Sequence, residues 1–119
     1  MIGGMGIQIV HATIARSTLR EIAAGQFGDF VKAVVDVDRR MMAIGGDLHA
    51  DEEAALLESG SDSGNLWGIN IYPGLPDDQW IEFDSMINVR PSAGNRSREV
   101  ENPAIREKIR GIVTGVVKE

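Results

Sequence analysis

Residues 30–46, FVKAVVDVDRRMMAIGG, decide how the rest of the chain is read. Val31, Ala33, Val35 and Val37 alternate with Lys32, Val34, Asp36 and Asp38, the two-residue period of a strand. Asp38-Arg39-Arg40 is short and polar, so Met41 to Ile44 is predicted to return as the second strand of a hairpin that Gly45-Gly46 ends. Upstream, IQIVHA (7–12) reads as a short edge strand, and Thr18-Leu-Arg-Glu21 has the form of a capping box opening a helix to about Ala24. Downstream, Asp51 is placed to cap a second helix that Gly60 closes, with Glu52 and Glu53 in its first turn.

Two further strands follow. In LWGINIY (66–72), Trp67, Ile69 and Ile71 face one way and Gly68, Asn70 and Tyr72 the other, before Pro73 and Pro76 stop the run. In WIEFDSMINVRPSAGNRSR (80–98), the alternation predicts a strand with Ile81, Phe83, Ile87 and Val89 on one face and Glu82, Asp84, Asn88 and Arg90 on the other. Asn102-Pro103, an N-cap followed by proline at the first helical position, opens a last helix with Ile105, Ile109, Ile112, Val113, Val116 and Val117 as its apolar stripe. The expected class is α+β: an antiparallel sheet of four to five strands with helices packed on one face. The opposite face then gathers Lys32, Asp36, Asn70, Tyr72, Glu82, Asp84, Asn88 and Arg90, provided no strand slips by one residue.

Composition narrows the function classes. The 119 residues are 43% hydrophobic and 25% charged, which fits one domain over residues 1–119 without long disorder. No cysteine is present, which removes disulfides, thiolate metal ligands and cysteine nucleophiles. The start MIGGMGIQIV lacks a basic segment before its apolar residues and no later run approaches a membrane span, so a cytoplasmic location without membrane contact is expected. A net charge of -6 repels polyanions and disfavours nucleic acid as a partner.

Ala43-Ile-Gly-Gly46 with Leu48-His-Ala-Asp51, Leu66-Trp-Gly68 with Asn70-Ile-Tyr-Pro73, and Ile87-Asn with Arg90-Pro91 and Asn95-Arg-Ser-Arg98 carry a resemblance. On these residues the chain resembles, over its full length, a small prokaryotic family catalogued only as a domain of unknown function. The resemblance implies no reaction, cofactor or partner.

The residues themselves offer three candidate sites. Asp47, His49 and Asp51 alternate, so an extended backbone would aim all three one way, and imidazole with carboxylates suits a divalent metal, the one cofactor considered. The plainer alternative has Asp51 as a cap and His49 as a loop anchor. Glu82 and Asp84, roughly 6–7 Å apart at alternate strand positions, could hold a substrate and move a proton together with His49, or form solvated ion pairs with Arg90. Arg90, Arg96 and Arg98, with Asn95 and Gly94 between them, could hold a phosphate or carboxylate, with Asn70, Tyr72 and Asn88 completing the ligand-binding set. No Gly-x-Ser-x-Gly elbow or phosphate loop is present.

The first functional expectation is therefore a binding module for a small anionic ligand or a carboxylate-bearing protein partner. The second is a metal-assisted or acid/base hydrolase using His49, Glu82 and Asp84. The third is a homodimeric interaction subunit that pairs through an exposed edge strand.

Overall fold

The structure, a computed structural model, describes residues 6–119. Along it run β1 (Gln8–Val10), β2 (Ile14–Ala15), α1 (Arg16–Gly25), β3 (Val31–Asp36), β4 (Met41–Ile44), α2 (His49–Glu58), β5 (Leu66–Ile71), β6 (Ile81–Glu82), α3 (Pro103–Val116) and β7 (Val117–Lys118). Short 3-10 turns occupy Ser63–Asn65, Met86–Asn88 and Pro91–Ala93. The predicted hairpin is present, with Val34 opposite Ala43. Its turn is fixed by Asp36, whose Oδ1 accepts from the backbone N–H groups of Asp38 and Arg39, both at 2.9 Å. Such side-chain capture of the next backbone donors is what makes aspartate a turn former.

All neighbouring strands of the main sheet are antiparallel, in the order β1-β4-β3-β5-β6. This is the α+β class expected from the sequence. A separate parallel pair, β2 with β7, joins the segment before α1 to the segment after α3 and had no counterpart in the sequence pattern. The last helix begins as predicted: Asn102 Oδ1 accepts from Ala104 N at 2.8 Å and Pro103 takes the first turn.

The helices divide between the two faces of the sheet. Leu19 and Ile22 of α1 and Ile109, Ile112 and Val113 of α3 lie with Ala33, Val35, Ile44 and Ile69 in the larger core. Leu56 of α2 lies with Val34, Ala43 and Leu66, on the side those β3–β5 residues turn away from the larger core. The one-sided helix layer is thereby corrected: α2 covers the face opposite α1 and α3, because Val34 and Ala43 put apolar surface there that water would otherwise meet. Leu56 is fully buried in this smaller cluster. Replacing it by alanine is expected to cost about 2–4 kcal/mol, read as a lower urea midpoint with an unchanged slope.

Two helix starts also differ from expectation. Thr18 and Glu21 form no capping box, since α1 begins at Arg16 behind Ala15 with no side-chain cap. Asp51 is in the first turn of α2, not at its cap, which is Leu48. Among the described residues no helix is long and apolar enough to cross a membrane.

The largest departure is the run 80–98. Only Ile81 and Glu82 form a strand, paired with Ile71 and Asn70. Ser85 Oγ then accepts from Ile87 N at 3.2 Å and starts the 3-10 turn at Met86–Asn88. The alternation collapses there: Asn88 is fully buried, and Met86 and Val89 are exposed. Asn88 replaces the missing strand with its side chain, Oδ1 accepting from Gly68 N at 2.8 Å and Nδ2 donating to Gly68 O at 3.0 Å. Gly68 makes this approach available, because a Cβ there would lie 2.5 Å from Ser85 Cβ and Oγ.

Candidate functional site

Lys32 on β3, Asn70 on β5 and Glu82 on β6 are cross-strand partners in register, Lys32 opposite Asn70 and Asn70 opposite Glu82. Side chains directly opposite on neighbouring strands share a face, so the three form one polar row. The row is part of a cavity of about 380 Å³. The start of α2 contributes Leu48, His49 and Ala50 to its lining, and the irregular segment after β6 contributes Asp84, Ser85, Met86 and Ile87, with Phe30 and Arg98 completing it. Its volume is in the range of small-molecule sites.

Internal hydrogen bonds orient the polar groups. Asn70 Nδ2 donates to Glu82 Oε1 at 2.8 Å and to Asp84 O at 3.3 Å. Tyr72 OH donates to the same Glu82 oxygen at 3.3 Å. Burial, followed by the nearby Glu82 carboxylate, holds the Tyr72 phenol above its usual pKa. Arg98 forks onto Asp84, Nε to Oδ1 at 2.8 Å and Nη2 to Oδ2 at 3.1 Å. His49 Nε2 is 2.7 Å from Ile69 O. A carbonyl only accepts, so Nε2 carries the proton and Nδ1 is the acceptor of the neutral ring. Burial, with Lys32 and Arg98 adding to it, lowers the His49 pKa against the pull of that hydrogen bond and of Asp84. The imidazole is therefore held neutral. Among the described residues Lys32 forms no ion pair with a carboxylate.

The residues singled out from sequence fall into three groups. His49, Asn70, Glu82, Asp84 and Arg98 meet in the cavity, with Tyr72 bonded to Glu82 beside it. Asn88 and Asn95 are buried and spend their amides on the backbone: Asn88 on Gly68 and Arg98 O, Asn95 on Asn88 O, Ser97 O and Glu99 O. Arg90 and Arg96 do not join Arg98. Arg90 reaches Leu66 O, lies 3.6 Å from Glu53 Oε2 and covers the Trp67 ring at 4.8 Å. Arg96 is exposed on the loop. Between them the backbone turns back on itself, Arg90 and Asn95 closing an antiparallel bridge in which Arg90 N donates to Asn95 O at 2.7 Å and Asn95 N to Arg90 O at 3.1 Å.

The alternating Asp47, His49 and Asp51 also separate, because α2 starts at His49 and a helix turns alternate residues to different sides. Asp47 accepts instead from Gln26 Nε2 at 3.1 Å. Among the described residues no three His, Asp or Glu side chains gather as a metal-ligand set. Sequence reasoning placed Lys32 on the polar face without giving it a ligand role, and it missed Phe30, Leu48 and Met86 as lining. The pairing of Lys32 with Asn70 is the signal for the first. The apolar rim depends on where α2 and the 3-10 turn settle, which no local pattern states.

Together the fold and the cavity define a small α+β domain that carries a ligand-sized pocket on the second face of its sheet. The chain belongs to the family described as protein of unknown function (DUF5674), whose family model matches residues 8–116. No curated protein and no solved structure matches it.

Proposed function

We propose that this chain is a binding module for a small ligand with a carboxylate or similar anionic group, taken into the sheet cavity and anchored by Lys32. The observation that carries this reading is Lys32, a half-buried residue of the cavity lining whose ammonium lies 5.3 Å from the centre of the Phe27 ring and has no carboxylate partner among the described residues. Arg98 is already neutralised by Asp84, so it frames the site while Lys32 supplies the free charge. Relative to the arginine-loop expectation, the anchor moves from a loop onto a strand, where a binding group is held more rigidly.

The test is an amide NMR titration with 4-methylpentanoate, a carboxylate with a branched apolar tail. Shifts confined to the cavity are expected in the unaltered chain, and Lys32→Met is expected to weaken binding by about tenfold, the loss of one charge-assisted contact. Equal affinity in the two proteins would reject Lys32 as the anchor. A second reading, acid/base hydrolysis, is favoured by one observation: His49, Glu82 and Asp84 share the cavity. In that reading His49 Nδ1, free to accept, is the base.

A further inference from the structure

The cavity has a second chemical demand that an anion alone does not meet. Asn70 is 6% exposed, and its Oδ1 has no hydrogen-bond partner among the described residues. Its orientation follows from its surroundings: the groups on its Nδ2 side, Glu82 Oε1 and Asp84 O, are a carboxylate and a carbonyl, both acceptors. The amide NH2 must face them, which leaves Oδ1 as a fixed acceptor. An anionic group placed there would set lone pairs against lone pairs and stand beside the Glu82 carboxylate. The Asn70 oxygen is closed to solvent, whereas the Glu82 carboxylate beside it is exposed at the cavity and forms no ion pair among the described residues, so it is the group that calls for a cation.

We propose that the ligand is a zwitterion of the α-amino acid class, an inference that rests on the binding function above. Its ammonium pairs with the Glu82 carboxylate, beside the Asn70 amide, and its carboxylate pairs with Lys32. The polar row already runs cation, amide, carboxylate across three adjacent strands, so the charges of the site oppose those of the ligand in the required order. Neighbouring strands are about 4.8 Å apart, which puts the Lys32 and Glu82 backbones roughly 10 Å from one another. The apolar substituent is received by Leu48 and Met86, which are 56% and 65% exposed although they line the cavity. Large apolar side chains left open at a pocket mark a surface kept for contact.

Three compounds that share one skeleton test this on the full chain by calorimetry and NMR: L-leucine, 4-methylpentanoate, which lacks the amine, and 3-methylbutylamine, which lacks the carboxylate. Leucine is expected to bind about tenfold more tightly than either of the others. In Glu82→Gln, a change at an exposed side chain, leucine binding is expected to weaken about fivefold and 4-methylpentanoate binding to stay level or tighten, because only the amine loses by the change. If 4-methylpentanoate matches leucine in the unaltered chain, the zwitterion is overturned and the anion-binding function stands. If the amine matches leucine and Lys32→Met changes neither, both are overturned. Silence from all three at millimolar concentration overturns both as well.

Discussion

Between about pH 5 and pH 9 the chain is expected to lose stability steadily, and Glu52→Gln is expected to remove most of that slope. Glu52 is fully buried on α2. Its Oε2 accepts from Gly46 N at 2.9 Å, and its Oε1 has no partner among the described residues. A Cβ on residue 46 would lie 2.8 Å from Glu52 Cγ, so glycine there gives the carboxyl its room. Burial, only partly offset by the Gly46 N–H and by Lys32, pushes the carboxyl up from an ordinary 4.5 to about 9.

The sign follows from proton counting. Below the ordinary value both folded and unfolded chains hold the proton, and the folded state keeps its full stability. Above it the unfolded chain ionises while the folded one does not, so stability falls with rising pH until the folded value is passed. The slope reaches at most about 1.4 kcal/mol per pH unit. Glutamine keeps an acceptor for Gly46 and cannot ionise, so its unfolding profile should be flatter by that amount and higher at alkaline pH. Urea unfolding of both proteins from acid to alkaline pH reads the difference directly. Parallel profiles would show that Glu52 does not retain its proton in the fold.

A second large effect is expected at Asn88. Alanine there removes the side-chain partners of Gly68 N and Gly68 O together, contacts of 2.8 and 3.0 Å in a fully buried position, and one of two donors to Arg98 O, which keeps Ser85 N at 3.0 Å. An unmet buried backbone group costs about 1–3 kcal/mol, and two of them lead to an expected loss of about 2–5 kcal/mol. Asn88→Asp should be no milder, since it keeps one acceptor and sets a carboxylate against two carbonyls. Hydrogen exchange at the Gly68 amide should accelerate in both variants together with the fall in urea midpoint. An unchanged midpoint for Asn88→Ala would mean that water replaces the amide at little cost, and that the side chain does not substitute for a strand.

The same residue explains where the sequence misleads. Ile81, Phe83, Ile87 and Val89 keep a strand period, yet the chain leaves the sheet after Glu82. A serine hydroxyl and an asparagine amide outcompete the pattern there, and the amide's partner, Gly68, lies 20 residues away. No window along the sequence contains that bond. The β3–β4 hairpin and the start of α3 were legible because their signals are local: alternation, an aspartate that closes its own turn, and Asn102-Pro103. The polar row was legible through the period-two pattern, which survives from strand to strand when register holds. Arg90, Arg96 and Arg98 were misread as a cluster because nearness along the chain is no guide once a bridge such as Arg90 with Asn95 turns the backbone. The position of α2 had one available clue in Val34, an apolar residue on the otherwise polar side of β3 that needs a cover.

The two faces of the sheet meet different neighbours, and this gives mutation two separate places to act. Residues such as Ile109 and Ile69 sit in the core beneath α1 and α3, whereas Leu48 and Met86 stand open at the rim of the other face. Changes at the rim disturb little that holds the molecule together, and their effects on stability should add simply to those of changes in the core. Under the proposed binding function, ligand preference is thus free to drift from one descendant sequence to another while the scaffold beneath it stays the same.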